Sequence, residues 1–401
     1  MTDYLNEAKG LMSRMREVRP AFRGLETMEL EPGAISAVPG YLKRQGLNSP
    51  IVVADANTYE AAGQTLMDGL EAEGLEPRLC LIKPDELGDV VADERSLMQL
   101  FIEVEPERTG CLIAAGSGTL HDITRFVAHR CGKPFVSVPT APSVDGFTSA
   151  GAPIVVRGIK QTFAATAPIA IFADPDILAK APQPLIAAGF GDMLGKYTSL
   201  LDWRFSSTTA GEPYDDQVAE ITERALESCI QHVEAIGQRT EEGIRILMTA
   251  LIESGIAMLL FGQSHPASGA EHHLSHYWEM EYLRRGNRAL LHGAKVGVAC
   301  SEISSLYHAA ADQGVYPYAE PKLWETYREQ VREWLRKVPS KEEIAGLLRQ
   351  AGGPSSLEEL GIDEELFGES LREAHKLRDR HTILRTLNEA DGVGQPLTSY
   401  R

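Results

Sequence analysis

The first half of the chain alternates short apolar runs with segments of helical periodicity. Apolar runs occupy residues 51–54, 79–82, 111–115 and 135–138, and weaker ones follow at 153–156 and 169–172. Helical patterns lie between them, at about residues 58–75 and from Gly118 to about residue 131. Short buried strands separated by helices are typical of a parallel, doubly wound sheet.

The pattern changes after the prolines between residues 175 and 184. From about Leu185 a period of 3.6 dominates, and it predicts helices over residues 185–204, 214–236, 241–262, 268–284 and 289–310, with more after Pro321. A chain of 401 residues also exceeds what one hydrophobic core usually serves. We therefore expect an α/β domain over residues 1–182 and an all-helical domain over residues 183–401.

Charge and composition narrow the class of protein. The formal net charge is −18 and the chain has no large lysine and arginine cluster, which argues against a nucleic-acid partner. No run of 18 or more residues is wholly apolar, and the first residues lack a secretory signal, so we expect no membrane association. Five cysteines without CxxC spacing suggest reduced thiols. Together these features predict a cytoplasmic protein, and they leave room for a small anionic substrate.

A glycine-containing turn follows the predicted strand 111–115. Gly116, Ser117 and Gly118 stand between that strand and a helix, where exposed amides attract phosphate oxygens. The motif is not a complete GxGxxG, because His121 occupies the third glycine position. It suggests a dinucleotide site, and a tight turn without a ligand is the alternative. Asp55, after an earlier strand, is either a ribose ligand or a helix cap.

A polar loop follows the predicted strand 135–138. Residues 139–149 read Pro-Thr-Ala-Pro-Ser-Val-Asp-Gly-Phe-Thr-Ser. They lie where open α/β sheets bind ligands, at the carboxyl end of a strand. Composition alone leaves an ordinary surface loop as the alternative.

The clearest chemical signal is a cluster of histidines. Five of the eleven histidines lie between His265 and His292. His272 and His276 share a helix face because they are four residues apart, and Asp192 could add a carboxylate. Two imidazoles and a carboxylate suit Zn²⁺, Fe²⁺ or Ni²⁺. The alternatives are packing histidines and a surface ion pair between Asp192 and Lys196.

The order of five motifs resembles a known family. Gly-Ser-Gly-Thr-x-x-Asp, Thr-Ala-Pro-Ser-x-Asp-Gly, Gly-x-Gly-Asp-x-x-x-Lys, Ser-Gly-x-Glu-His-x-x-Ser-His and Leu-His-Gly together are similar to the sn-glycerol-1-phosphate dehydrogenases, over about residues 20–310. That family stands with the iron-containing alcohol dehydrogenases, glycerol dehydrogenases and dehydroquinate synthases. The resemblance implies a dehydroquinate synthase-like fold, in which an N-terminal dinucleotide-binding domain precedes an all-α metal-binding domain.

The resemblance also implies roles for individual residues. It makes Asp192, His272 and His292 the metal ligands. Residues expected to contact substrate or move protons are Asp145, His276 and Lys196. Residues expected to contact the dinucleotide are Gly116, Ser117, Gly118, Thr119, Asp122, Thr140, Ser143 and Ser149, with Asp55 as the ribose partner. Relatives commonly have a third consecutive glycine where this chain has Ser117, a small change that still permits a close turn.

The implied reaction is a reversible hydride transfer between NAD(H) or NADP(H) and a small phosphorylated substrate, which interconverts dihydroxyacetone phosphate and sn-glycerol 1-phosphate. One divalent metal (Zn²⁺, Ni²⁺ or Fe²⁺) is expected as a Lewis acid, and a homodimer is implied by bacterial relatives. The alternatives are a glycerol or other polyol dehydrogenase, a carbocycle-forming lyase of the dehydroquinate synthase type, and a binding protein with structural histidines.

Overall fold

A six-stranded parallel sheet forms the centre of the N-terminal half. The computed structural model describes Gly10, residues 25–313 and residues 322–389. Its strands are β1 (Thr27–Leu30), β2 (Pro50–Ala54), β3 (Arg78–Leu81), β4 (Cys111–Gly116), β5 (Phe135–Pro139), β6 (Gly151–Val156), β7 (Ile159–Ala164) and β8 (Ala170–Ala173). The order in the sheet is β1-β8-β5-β4-β2-β3, and β6 and β7 form a separate antiparallel hairpin.

The central strands are buried on both faces. Val52 of β2 packs into one apolar cluster with Ile113 of β4, whereas Ile51 of β2 packs into a second cluster with Leu112 of β4. Successive side chains of a strand point to opposite faces, so these near-continuous apolar runs fill two cores at once. The helices covering the faces are α1 (Val38–Gln45), α2 (Ala56–Thr58), α3 (Gln64–Ala72), α4 (Glu94–Phe101) and α5 (Gly118–Cys131).

The rest of the described chain is helical. Its helices are α6 (Pro175–Leu178), α7 (Gln183–Leu194), α8 (Lys196–Ala210), α9 (Asp216–Gln231), α10 (Val233–Gly237), α11 (Glu241–Phe261), α12 (Ala270–Arg284), α13 (His292–Gln313), α14 (Lys322–Trp334), α15 (Lys341–Gln350), α16 (Leu357–Leu360), α17 (Glu364–Glu373) and α18 (Ile383–Asn388). The expected fold class, a parallel α/β part followed by an all-helical part, is confirmed.

Several element boundaries differ from the sequence pattern. The predicted helix 185–204 is two helices, α7 and α8, which meet at Gly195, and the predicted helix 214–236 is divided at His232. The pattern missed β1 and β7. Every residue of β7 is exposed or half-buried, so the apolar signal is weak there. Pro321 and the first residues used to judge a secretory signal lie outside the described residues.

The chain divides into two compact units, which do not follow a single cut. The first contains residues 1–186 and 238–260, so nearly all of α11 belongs with the sheet, and the second contains residues 187–237 and 261–401. Compact units need not coincide with functional domains, and the boundary at residue 182 stays a prediction.

Helix α11 is long and strongly apolar. Among the described helices it is the one with the length and composition to cross a membrane, and 67% of its apolar window is buried inside the protein. It also carries Arg245 and Glu253. Such burial is typical of a helix in a protein core.

Candidate active site

Three predicted cofactor residues lie at one edge of the sheet. Because β5, β4 and β2 are neighbours and parallel, their C-terminal ends share one edge of the sheet. Gly116 is the last residue of β4, and Asp55 and Thr140 directly follow β2 and β5. The Thr140 amide donates to the Gly116 carbonyl at 3.1 Å. Asp55 caps α2: its Oδ1 accepts from the Thr58 amide at 2.8 Å, as the helix-cap alternative anticipated.

The turn between β4 and α5 is tight because glycine occupies both sides of Ser117. A side chain at Gly116 would collide with Leu120, and one at Gly118 would collide with Val144. Ser117 itself has ordinary extended dihedrals (φ −86°, ψ −171°), so a serine is accommodated without strain. The turn therefore brings the loop after β5 against the start of α5, where Thr119 lies in the first turn.

His121 has a structural role at this turn. Its Nδ1 lies 2.9 Å from the Ser117 carbonyl and its Nε2 lies 2.7 Å from the Ser137 hydroxyl. A carbonyl can only accept, so Nδ1 carries the proton and Nε2 accepts from Ser137. Burial, together with the charge of Arg125, lowers the pKa of His121 to about 3. The ring is therefore neutral at physiological pH.

A buried arginine fixes the polar loop after β5. Arg125 pairs with Asp122 at 2.9 Å, and its guanidinium donates to the carbonyls of Gly146, Phe147 and Gly151. Asp122, expected to contact the dinucleotide, thus also anchors Arg125. Ser143 and Ser149 are buried within the same loop.

Asp145 is held from the other side by α11. The Ser254 hydroxyl donates to Asp145 Oδ2 at 2.8 Å, and the Thr148 hydroxyl donates to the Ile252 carbonyl at 3.1 Å. A side chain at Gly255 would collide with Thr148 and with the Asp145 carbonyl. The Asp145 carboxylate is therefore fixed in a buried position by a helix more than one hundred residues later.

The second unit contains a compact group of metal-binding side chains. Asp192 lies near the end of α7, His272 lies in the first turn of α12, and His292 begins α13. One donor atom from each lies within 4.8 Å of the other two. The ring centroids of His272 and His292 are 5.2 Å apart, and that of His276 lies 6.5 and 5.9 Å from them.

Two glycines explain how α7 and α13 come close enough. A side chain at Gly191 would collide with the Gly293 carbonyl, and one at Gly293 would collide with the Ala188 carbonyl. Because neither residue has a side chain, the helices touch backbone to backbone beside Asp192 and His292. This contact gives a physical reason for the Gly-x-Gly-Asp and His-Gly motifs.

His272 is oriented by its neighbour Glu271. The His272 Nδ1 lies 2.7 Å from Glu271 Oε1, so Nδ1 carries the proton and Nε2, 3.7 Å from Asp192 Oδ1, is left with its lone pair. Glu271 also accepts from the Gly269 amide and the Thr198 hydroxyl, each at 2.6 Å. Burial alone would raise the pKa of Glu271, but the hydrogen bonds from His272 and its other donors lower it overall.

Lys196 is buried beside the same group. Its ammonium lies 3.3 Å from Asp192 Oδ1 and donates to the Ala267 carbonyl at 3.2 Å, and both side chains of the pair are fully buried. The alternative of a surface ion pair is therefore wrong. Lys196 follows Gly195, where α7 and α8 meet, and a side chain at Gly195 would collide with Val296 of α13.

The residues present fit a divalent metal. Asp192 offers a carboxylate oxygen, and His272 offers the ring nitrogen that is not hydrogen-bonded to Glu271. His292 adds a second imidazole within the same group. Such donors suit a divalent metal. The assignment of these three as ligands stays a prediction that the geometry supports.

Sequence reasoning missed four supporting residues, namely Arg125, Ser254, Glu271 and Arg378. Only Glu271 gave a local signal, because it precedes His272 directly. The C-terminal segment supplies Arg378, whose Nη2 lies 3.1 Å from His276 Nε2. That contact spans 102 residues.

Comparison with known proteins agrees with this arrangement. Residues 29–182 match the iron-containing alcohol dehydrogenase family model. Glycerol-1-phosphate dehydrogenase [NAD(P)+] of Geobacillus thermodenitrificans is 48% identical over 91% of this chain and 93% of its own, and that of Bacillus subtilis is 46% identical over 91% of each. The crystal structure of glycerol dehydrogenase from Schizosaccharomyces pombe shares the fold, with a TM-score of 0.68 at 20% identity over 92% of this chain and 86% of its own. The chain therefore belongs to the family of glycerol-1-phosphate dehydrogenases [NAD(P)+].

Proposed function

We propose that this protein is an NAD(P)-dependent glycerol-1-phosphate dehydrogenase that interconverts dihydroxyacetone phosphate and sn-glycerol 1-phosphate. The observation that carries the proposal is the identity of 45–48% with bacterial enzymes of that name over most of the chain. The grouped donor atoms of Asp192, His272 and His292 agree with a metal-dependent enzyme of this family.

We assign the dinucleotide to residues 1–182, along the carboxyl edge of the sheet. The contacts would come from the turn at Gly116, Ser117 and Gly118, from Thr119 and Asp122 of α5, and from the loop that carries Thr140, Ser143 and Ser149. Amides at the start of α5 attract pyrophosphate, and the carboxylate of Asp55 favours a free ribose hydroxyl over a 2′-phosphate. Residues 183–401 would hold the metal and the substrate.

The cofactors supply the hydride and the Lewis acid, when bound, that a ketone reduction requires. The protein holds Asp192, His272 and His292 in one group, with Glu271 fixing the His272 ring so that Nε2 faces Asp192. Lys196 partly balances the charge of Asp192. This preorganisation places the three donor atoms together in advance, so that they would hold a divalent metal with little rearrangement.

Proton transfer is assigned to His276, with Asp145 and Lys196 as further polar groups. His276 accepts a hydrogen bond from Arg378 at Nε2, which leaves its Nδ1 protonated. Imidazole is the side chain that enzymes use most often to transfer protons. We propose that Asp145, held by Ser254, orients substrate hydroxyls.

The direct test is the initial rate of NADH and NADPH oxidation with dihydroxyacetone phosphate, beside dihydroxyacetone. The protein is first stripped of metal and then given Zn²⁺, Ni²⁺ or Fe²⁺. We expect a rate that a metal restores and that needs the phosphate. A rate that prefers dihydroxyacetone would instead indicate a glycerol dehydrogenase.

Chiral analysis of the product tests the stereochemistry. The proposal requires sn-glycerol 1-phosphate, and sn-glycerol 3-phosphate as the sole product would rule it out. If neither substrate is reduced but phosphate is released from a seven-carbon sugar phosphate without net oxidation of NADH, the protein is a lyase of the dehydroquinate synthase type.

We also propose a cytoplasmic homodimer. The absence of a basic cluster in the sequence and the burial of α11 support a protein that acts on small molecules in solution. Light scattering after size-exclusion chromatography tests the dimer. One chain has a mass of 43.9 kDa, so a homodimer should show twice that mass.

A further inference from the structure

Two arginines, Arg378 and Arg380, follow the 3₁₀ turn Ala374–Leu377 and donate hydrogen bonds to Ser268, the first residue of the Ser-Gly-x-Glu-His-x-x-Ser-His motif. Arg378 Nη1 donates to the Ser268 hydroxyl at 3.0 Å, and Arg380 Nη1 donates to the Ser268 carbonyl at 3.0 Å. Both contacts cross at least 110 residues of sequence. They fix this C-terminal segment beside the start of α12, the helix that carries His272 and His276.

Arg378 also contacts the histidine group directly. Its Nη2 lies 3.1 Å from His276 Nε2, and the His276 ring is 5.9 Å from the ring of His292. The guanidinium therefore lies one imidazole away from the predicted metal ligands. A guanidinium carries five N–H donors in a planar fork, and this geometry matches the oxygens of a phosphate.

The local charge favours an anion at this position. Arg380 has a carboxylate near it, because Glu212 Oε2 lies 3.5 Å from its Nε. Burial, and then the charge of Arg380, lower the pKa of Arg378 to about 10, although the Glu271 carboxylate acts to raise it. Two partly or fully buried guanidiniums so close together repel each other, and a bound anion would relieve that repulsion.

We propose that Arg378, with the Ser268 hydroxyl beside it, binds the phosphate of the substrate and so separates this enzyme from dehydrogenases of unphosphorylated polyols. The inference rests on the proposed function, since it assigns the phosphate of dihydroxyacetone phosphate. The phosphorus of that substrate lies only a few bonds from its carbonyl oxygen, which matches a guanidinium one imidazole from the metal group. Arginine forks bind phosphate in a bidentate manner.

Substrate discrimination tests the assignment. The measured quantity is the ratio of kcat/KM for dihydroxyacetone phosphate to that for dihydroxyacetone, in the metal-loaded wild type, Arg378→Gln and Arg378→Lys. We expect Arg378→Gln to lower this ratio by roughly 10- to 100-fold, because it removes charged hydrogen bonds to the phosphate. Lysine keeps the charge without the fork and should give an intermediate ratio.

Arg385→Gln is the matched control. Arg385 belongs to the same C-terminal segment and is buried, but it pairs with Asp379 and Glu389 rather than with the histidine group. It should leave the ratio unchanged. A loss in Arg378→Gln that affects both substrates equally would mean that Arg378 only orients His276, and it would overturn the phosphate assignment.

Binding of inorganic phosphate gives a second readout that needs no turnover. We expect millimolar phosphate to raise the thermal unfolding midpoint of wild-type protein and of Arg385→Gln, and to raise it less in both Arg378 variants. Equal shifts in all four proteins would contradict the inference. If wild-type protein does not reduce dihydroxyacetone phosphate, the proposed function fails; if it does and the ratio survives in both Arg378 variants, only the phosphate assignment fails.

Discussion

Substitution of Glu271 tests how far metal binding by Asp192, His272 and His292 depends on the carboxylate that orients His272. We consider Glu271→Gln, which keeps the shape of the side chain and removes its charge. In the wild type Oε1 accepts from the Gly269 amide and His272 Nδ1, and Oε2 accepts from the Thr198 hydroxyl. A glutamine oxygen can replace Oε1, and its NH₂ group can donate to the Thr198 hydroxyl, which also accepts. The variant therefore keeps the hydrogen bonds and loses the charge.

The expected cost is to metal affinity rather than to folding. Removing a carboxylate that orients a ligating histidine typically weakens metal binding by about 10- to 100-fold, or about 1.4–2.7 kcal/mol. Stability should change little, because Glu271 also repels Asp202. Burial first, and then the Glu271 charge, raise the pKa of Asp202 to about 7. Removing that charge offsets part of any loss.

The assay is titration of metal-free protein with Zn²⁺ in competition with a chelator of known affinity. Glu281→Gln is the control, because Glu281 lies on the same helix and pairs only with Arg284 and Arg285 among the ion pairs described for it. We expect control and wild type to agree. Equal Zn²⁺ affinity in wild type and Glu271→Gln, with both proteins folded by circular dichroism, would show that the Glu271 charge does not contribute to metal binding.

Three further predictions concern packing, the loop after β5 and pH. Gly293→Ala would push a methyl group into a carbonyl of α7, so we expect the free energy of unfolding, measured by thermal unfolding, to fall by about 1–3 kcal/mol. The control Gly346→Ala adds its methyl group in open space and should be neutral or stabilising. Equal unfolding midpoints for the two variants would contradict the close approach of α7 and α13. Ser254→Ala removes the hydrogen bond to Asp145 and should cost about 1 kcal/mol in urea unfolding and lower kcat/KM, while an unchanged kcat/KM would separate this bond from catalysis. Because the pKa of His121 is lowered to about 3 in the folded protein, only the unfolded chain takes up a proton at this residue between pH 6.5 and about 3. The free energy of unfolding should therefore fall by about 2 kcal/mol from pH 7 to pH 5 because of His121. In urea titrations His121→Gln should lack this part of the pH dependence, and an identical slope of unfolding free energy against pH in both proteins would show that His121 does not contribute.

The local sequence pattern predicted the strands whose residues are continuously apolar. The strands that became β2, β4 and β5 were recognisable because both faces are buried and the residues are continuously apolar. β7 was missed because its polar residues face solvent, and the division of the helix at Gly195 was missed because glycine in an apolar helix does not by itself mark an end. Helical spacing placed His272 and His276 on one face, but it could not show Lys196 buried.

The class of fold, the family resemblance and the candidate metal ligands could all be inferred from the amino-acid sequence, because periodicity and motif order are properties of short segments. The residues that hold these candidate site residues in place became visible only in the folded structure. Ser254 reaches Asp145 across 109 residues, and Arg378 reaches His276 across 102. Such contacts depend on how helices pack, as the glycine contact between α7 and α13 does, and no local pattern encodes the distance between two segments that meet only after folding.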